Sequence, residues 1–202
     1  ATTAVTNYAY DGNGNLREVL DADGNTTTLT HDFVGNRLSI TRGTRTWAYT
    51  YDLNGNMRTE LPPRPDGMLA ADYTNELVYD DLDRVRLRVP APRGLSPSRR
   101  AQLGIGTITF HYDSTKPNSM GRLNKVTHAV NDPATPALEL LESEYTYYAR
   151  GLVQRELRRI HSTYLRNTTA TQWVDRTYTA LNLETLATYD DASRVRTTYD
   201  AR

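Results

Sequence analysis

The sequence predicts an all-β protein: an antiparallel meander of short hairpins forming a curved strip, with one short helix near residues 97–103. Three observations carry this. A turn of the form aromatic-Asp-x-x-Gly recurs along the chain. The residues flanking each turn alternate in character, the period of a strand with unlike faces. The composition is lean and rich in tyrosine, with 14 Tyr against 2 Phe and 2 Trp and 38% hydrophobic residues. Mean hydropathy is −0.66, which suits a sheet with wet faces better than a thick two-layer core.

The stretch Trp47 to Arg58 shows the unit at its clearest. Trp47, Tyr49 and Tyr51 alternate with Ala48 and Thr50. Asp52-Leu53-Asn54-Gly55 then reads as a type I turn, with Gly55 at the positive φ of a bulge. The Asp52 carboxylate accepts backbone N–H groups ahead of it. This geometry pairs Tyr51 with Met57, Tyr49 with Thr59 and Trp47 with Leu61. It sets Thr50 beside Arg58 and Ala48 beside Glu60 on the other face.

Taken in order, the turns begin with Tyr10-Asp11 and Gly14, then Asp32 and Gly35 with His31 in the aromatic slot, then Tyr51-Asp52 and Gly55. Between them lie turns at Asp21–Asn25 and Arg42-Gly43. A turn falls roughly every ten residues, the spacing of short antiparallel strands. Pro62 to Gly67 interrupts as a loop, because proline donates nothing to a ladder. Tyr79-Asp80 restores the unit with Asp83 in the glycine slot, where Asp tolerates left-handed backbone.

Ser96-Pro97 followed by Gly104 brackets the expected helix, with a capping residue, Pro at the first position and Gly past the end. Arg99 and Arg100 are read as its solvated face. Tyr112-Asp113 opens a stretched turn that reaches Gly121, and its outgoing strand runs to about Val130. Leu138 to Tyr148 is read as strand, leading through Tyr147 to Gly151. Residues 152–165 and 172–178 are expected to form a hairpin around 166–169. Tyr178, Tyr189-Asp190 and Tyr199 begin the last units.

Lys plus Arg is 24 and Asp plus Glu is 24. The balance removes the main reason to expect nucleic acid or an anionic membrane as partner. There is no cysteine, hence no disulfide framework and no thiolate site. No apolar run reaches membrane-spanning length. The start lacks Met and a signal peptide and Arg202 falls inside a repeat, so we expect a piece of a longer chain.

The repeated unit resembles the YD repeat of bacterial Rhs proteins, of the C and partly the B components of Tc insecticidal toxins, and of teneurins. The family pattern is Tyr-x-Tyr-Asp-x-x-Gly-Arg-Leu. Tyr8-Ala9-Tyr10-Asp11-Gly12-Asn13-Gly14-Asn15-Leu16 and Tyr49-Thr50-Tyr51-Asp52-Leu53-Asn54-Gly55-Asn56-Met57 match it with Asn for Arg. Arg84, Arg122 and Arg194 restore the Arg. Copies run from residue 8 to 200, and their number is what makes the resemblance specific.

The resemblance implies a β-strip that spirals into a hollow shell around a C-terminal toxic domain. It also implies a self-cleavage motif near the shell's end, but Asp132-Pro133-Ala134-Thr135 lacks the glycine, so no cleavage residues carry over. Strip physics agrees with a shell, since open twisted sheets rarely exceed about 10 strands without curling.

Sharper chemistry fares worse. The repeated carboxylates sit in turns, where backbone bonding accounts for them better than a glycosidase pair does. Asp21 to Asp32 lacks the glycine and glutamate spacing of an EF-hand. His31, His111, His128 and His161 are scattered. Asp11 to Asn15 lacks the Lys and helix of a phosphate loop.

The expectation is therefore one structural segment over residues 1–202, with no enzymatic activity, no cofactor and no metal, bacterial and secreted or delivered to target cells. Its partners are the rest of its own shell and an enclosed toxin domain, with no nucleic acid and no membrane insertion. The alternative is a cell-surface adhesion module that stacks glycans on Trp47 and Trp173.

Overall fold

The computed structural model describes residues 4–91, 95, 99–100, 103, 105–132, 135–162 and 168–199. They belong to two compact units, Ala1–Leu95 and Ser96–Arg202. The first is a meander of β1 (Asn7–Tyr10), β2 (Leu16–Leu20), β3 (Thr26–His31), β4 (Arg37–Arg42), β5 (Arg45–Tyr51), β6 (Met57–Leu61), β7 (Asn75–Tyr79) and β8 (Val85–Val89). Each strand pairs antiparallel with the next. The second unit repeats the plan with β9 (Thr107–Tyr112), β10 (Leu123–Asp132), β11 (Thr135–Tyr147), β12 (Val153–Ser162), β13 (Thr168–Tyr178), β14 (Glu184–Tyr189) and β15 (Arg194–Arg196). The expected all-β antiparallel meander is what the chain forms.

Several boundaries moved. A single helical turn, α1 (Ala70–Tyr73), follows the proline loop, where sequence reading placed no helix. Ala70 and Ala71 favour helix locally, and the Thr74 hydroxyl donates to the Ala70 carbonyl at 2.8 Å. Of the helix expected near 97–103, Arg99 and Arg100 are helical, and the Leu103 N–H donates to both their carbonyls at 3.2 Å. Residues 96–98, 101, 102 and 104 lie outside the described residues. Thr168 and Thr169, expected in a turn, already belong to β13.

The register differs from expectation by one inserted residue. Tyr51 does face Met57, but Thr50 then faces Thr59, Tyr49 faces Glu60 and Ala48 faces Leu61. Arg58 is the surplus residue of a β-bulge and stays exposed. Skipping it brings the Thr50 and Thr59 hydroxyls to 2.6 Å, instead of setting a charge opposite a threonine.

The same skip recurs at Arg17, Leu38, Arg86, Asn124, Gln154 and Thr185, always on the strand leaving the aromatic turn. By contrast β2–β3, β4–β5 and β12–β13, joined at the other edge, run without a shift. A bulge bends its strand and tightens its right-handed twist, so in the first unit the bending is confined to one edge, while in the second β10–β11 also shifts at the other edge, between Val130 and Asp132.

Neither unit wraps a thick core. Among the described residues the buried apolar side chains are Val174 and Ala187. Strands such as β3 alternate exposed and half-buried positions.

Candidate functional site

The turns come first, because they position everything else. At Asp52 the backbone N–H donates to the Asn56 carbonyl at 2.9 Å, and Gly55 N–H returns to the Asp52 carbonyl at 3.1 Å. The carboxylate Oδ1 accepts from the N–H groups of Asn54 and Asn56, each at 2.9 Å. Oδ2 accepts the Asn56 side-chain amide at 3.1 Å. Asp11 with Asn15, Asp21 with Asn25 and Asp32 with Asn36 reproduce this set. At Asp80 the Arg84 guanidinium takes the amide's place, Nε to Oδ2 at 2.8 Å.

The turn geometry needs left-handed backbone at its fourth position, and Gly55 has φ 86° while Asp83 has φ 58°. Asp83 is also a clasp between neighbouring turns, since its Oδ1 accepts the side-chain amides of Asn54 at 2.9 Å and Asn56 at 2.7 Å.

These bonds favour the ionised acid. The Asn15 and Asn25 amides hold the Asp11 and Asp21 carboxyls below the usual range, and the Arg84 guanidinium does so for Asp80. At Asp32 and Asp52 partial burial pushes upward, and the bonds from Asn36 and Asn56 outweigh it. Carboxylates committed in this way anchor the backbone of the turn.

The aromatic slot carries a second device. The Tyr51 hydroxyl donates to the Arg37 carbonyl at 2.9 Å, and the Tyr79 hydroxyl to the Met57 carbonyl at 2.8 Å. In the second unit Tyr147 donates to Leu123, Tyr178 to Val153 at 2.9 Å and Tyr199 to Glu184 at 2.9 Å. Each acceptor is the first residue after the preceding turn, opposite that turn's own aromatic slot: Arg37 faces His31, Met57 faces Tyr51, Leu123 faces Tyr112, Val153 faces Tyr147 and Glu184 faces Tyr178. The result is a relay that ties each repeat to the one before it. Burial pushes the Tyr51, Tyr79, Tyr147 and Tyr178 phenols up.

Residues 10–44 match the model of the RHS repeat. That stretch of the chain carries an Rhs repeat. Comparison with curated proteins gives no match. Among solved structures, a Photorhabdus luminescens Tc holotoxin pore aligns with a TM-score of 0.63 at 18% identity, over 91% of this chain and 9% of that one. A TcdB2–TccC3 crystal structure aligns at 13% identity over 98% and 14% of the two chains, with a TM-score of 0.32. A TcdB2-TccC3-Cdc42 crystal structure gives 12%, 98%, 14% and 0.31. This chain thus spans about a tenth of the Tc chain whose fold it shares.

The structure distributes the predicted motif residues unevenly. Tyr10-Asp11-Gly14, Asp32-Gly35, Tyr51-Asp52-Gly55 and Tyr79-Asp80 build the turn described above. At Tyr112-Asp113 the loop is longer, and the Asp113 carboxylate accepts the Gly121 N–H directly. The bulge residue Asn124, buried at 3% exposure, accepts the Ser114 N–H at 2.7 Å and holds that loop down. After Tyr147 the Asp position is occupied by Tyr148, whose N–H bonds the Leu152 carbonyl at 2.9 Å, with Gly151 closing back at 2.8 Å.

Tyr189 and Asp190 do not take the Tyr-Asp positions. Tyr189 itself sits where Asp is expected, its N–H bonding the Ser193 carbonyl at 3.0 Å. Their turn joins β14 to β15 at the opposite edge, and it is Asp191 that accepts the Ser193 N–H at 2.8 Å.

The two tryptophans belong to different units. Trp47 is half-buried opposite Ile40. Trp173 shares a sheet face with Arg155, whose guanidinium lies over its ring at 5.0 Å. Among the described residues no group of three or more His, Asp or Glu could hold a metal ion. No helix among them is long and apolar enough to cross a membrane.

Sequence reading missed the relay, the Asp83 clasp and the amides of Asn15, Asn36 and Asn56. A signal for the relay was present: a ring whose only task is packing could be Phe, yet Tyr outnumbers Phe 14 to 2.

Proposed function

We propose that this segment is wall: a structural, non-catalytic part of the encapsulating β-shell of an Rhs/Tc-type secreted toxin, curved with the rest of its own shell around a C-terminal toxic domain. Both units serve as one YD-repeat segment, because each carries the same bulged turns and tyrosine relay. The observation that carries the reading is a sheet without a thick core, its buried apolar side chains among the described residues being Val174 and Ala187. A chain with this much open sheet is built to be covered by further protein. The turn carboxylates, which an enzyme would need free, are engaged by backbone N–H groups and by Asn or Arg side chains. Delivery to target cells follows from the toxin reading.

Limited proteolysis of the parent chain tests it. The domain following this segment resists protease in the intact protein and is digested once Tyr79→Ala and Tyr178→Ala loosen the wall. Equal digestion of both forms would refute enclosure. Glycan binding that Trp47→Ala abolishes would install the adhesion reading instead.

A further inference from the structure

We propose that Asn13 is a site of spontaneous modification, losing its side-chain amide to become aspartate and isoaspartate, and that Asp83 shields the equivalent residue Asn54 from the same reaction. The inference does not depend on the shell reading.

The sequence contains two Asn-Gly steps, Asn13-Gly14 and Asn54-Gly55. At such a step the glycine nitrogen attacks the asparagine Cγ. A C–N bond forms, the Cγ–Nδ2 bond breaks, and ammonia leaves with the proton of the glycine nitrogen. Water then opens the resulting succinimide at either carbonyl, giving aspartate or isoaspartate. Glycine favours the attack because it has no Cβ to obstruct it and its backbone turns freely.

The fold makes the two sites a matched pair. Both asparagines are exposed at the tip of an aromatic turn. Each donates its N–H to the carboxylate of its turn's Asp at 2.9 Å. Each following Gly donates its N–H to the carbonyl of that Asp at 3.1 Å. Gly14 has φ 85° and Gly55 has φ 86°. Attack requires the Gly bond to open, and that opening costs the two sites alike.

The side chains differ. Asn54 Nδ2 donates to Asp83 Oδ1 at 2.9 Å, whereas among the described residues the Asn13 side chain has no partner. A bond to an ionised acceptor is strong, and it pins both the carbon under attack and the nitrogen that must leave. The Asp83 carboxylate also opposes the negative charge that grows as the glycine nitrogen gives up its proton. Asp11 and Asp52 do the same at their own turns, so Asp83 is the extra element at Asn54.

The product matters most at Asn13. Isoaspartate routes the main chain through the former side chain and lengthens it by one carbon. The turn is closed by the Asp11 N–H on the Asn15 carbonyl at 2.8 Å and by the Asn15 N–H on the Asp11 carboxylate at 2.8 Å. A longer path between them breaks this closure. Among the described residues β1 pairs only with β2, so the modification loosens the one hairpin that holds it.

The test ages the 202-residue chain in mildly alkaline buffer and follows tryptic peptides 1–17 and 46–58 by tandem mass spectrometry. Asn13 is expected to convert roughly tenfold or more faster than Asn54, the scale of one hydrogen bond to a charged acceptor. Asp83→Gly, which supplies the glycine that Gly14 and Gly55 provide in their own turns, should bring Asn54 up to the rate of Asn13. In urea both should convert at one rate. Amide hydrogen exchange at Asn15 should quicken in the converted chain. Equal rates in the folded chain overturn the proposal, as does a difference that persists in urea or a folded Asp83→Gly chain in which Asn54 stays slow. If Asp83→Gly does not fold, the urea comparison decides. Unchanged exchange at Asn15 overturns the loosening of β1.

Discussion

The phenolic oxygen of Tyr79 donates to the main-chain carbonyl of Met57 across 2.8 Å, and Met57 is the residue facing Tyr51 one repeat earlier. Tyr79→Phe keeps the ring and deletes the bond, stranding a half-buried carbonyl. The expected loss is about 1 kcal/mol. Tyr10, 60% exposed, makes no such bond among the described residues. Tyr10→Phe should stay within about 0.5 kcal/mol of the parent. Urea denaturation of the two variants side by side checks the contrast.

Acid should unfold the protein through its turns. The carboxyls of Asp11, Asp21, Asp32, Asp52 and Asp80 are held below their ordinary value in the fold. Their contribution is full above the unfolded value near pH 4 and disappears as pH falls toward the lower folded values. Glu144, lowered to about 2 by the Lys116 ammonium and then by Arg159, adds to the same window. Midpoints measured from pH 6 down to 2 should fall below pH 4, and Asp52→Asn should flatten the slope.

At the alkaline end the raised phenols act in reverse. Stability from Tyr51, Tyr79, Tyr147 and Tyr178 holds below about pH 10 and is lost as pH climbs through the folded values, since a phenolate cannot donate to a carbonyl. The same titration extended upward, followed by tyrosinate absorbance, reports it.

The left-handed turn position gives a matched pair of substitutions. Ala192 has φ 64° and Gly55 has φ 86°. An L-residue there costs about 1–2 kcal/mol. Ala192→Gly should therefore stabilise and Gly55→Ala destabilise, each by about 1 kcal/mol. Thermal midpoints moving in opposite directions are the expected readout.

On β10–β12, Arg159 bridges Glu142 at 2.6 Å and Glu144 at 2.8 Å, with Lys125 on the first at 3.2 Å and Lys116 on the second at 2.8 Å. Arg159→Met leaves two acids adjacent without their shared cation. Carboxyl NMR titration should show Glu144 moving up from about 2, with stability that rises again as salt screens the pair.

Much of this was legible beforehand, and particular residues show why. Asp52 and Gly55 specify their turn by local bonding alone, so spacing sufficed. Asp83 in a glycine slot was readable for the same reason. The skip at Arg58 was not, because a bulge depends on which residues meet across the ladder, and the register without it already kept aromatic beside apolar and polar beside charged. Tyr189-Asp190 misled: the motif's letters were present, but Ser193 supplied the closing carbonyl one position earlier than expected. The Met57 carbonyl was invisible as an acceptor, since nothing in its side chain marks what its main chain does.

The tyrosine relay has a direction. In all five cases the donor lies later in the sequence than its acceptor. As the ribosome extends the chain, each of these five tyrosines emerges after the carbonyl it docks on, so these bonds can close from the N-terminal side one hairpin at a time, whereas the clasp of Asn54 and Asn56 must wait for Asp83.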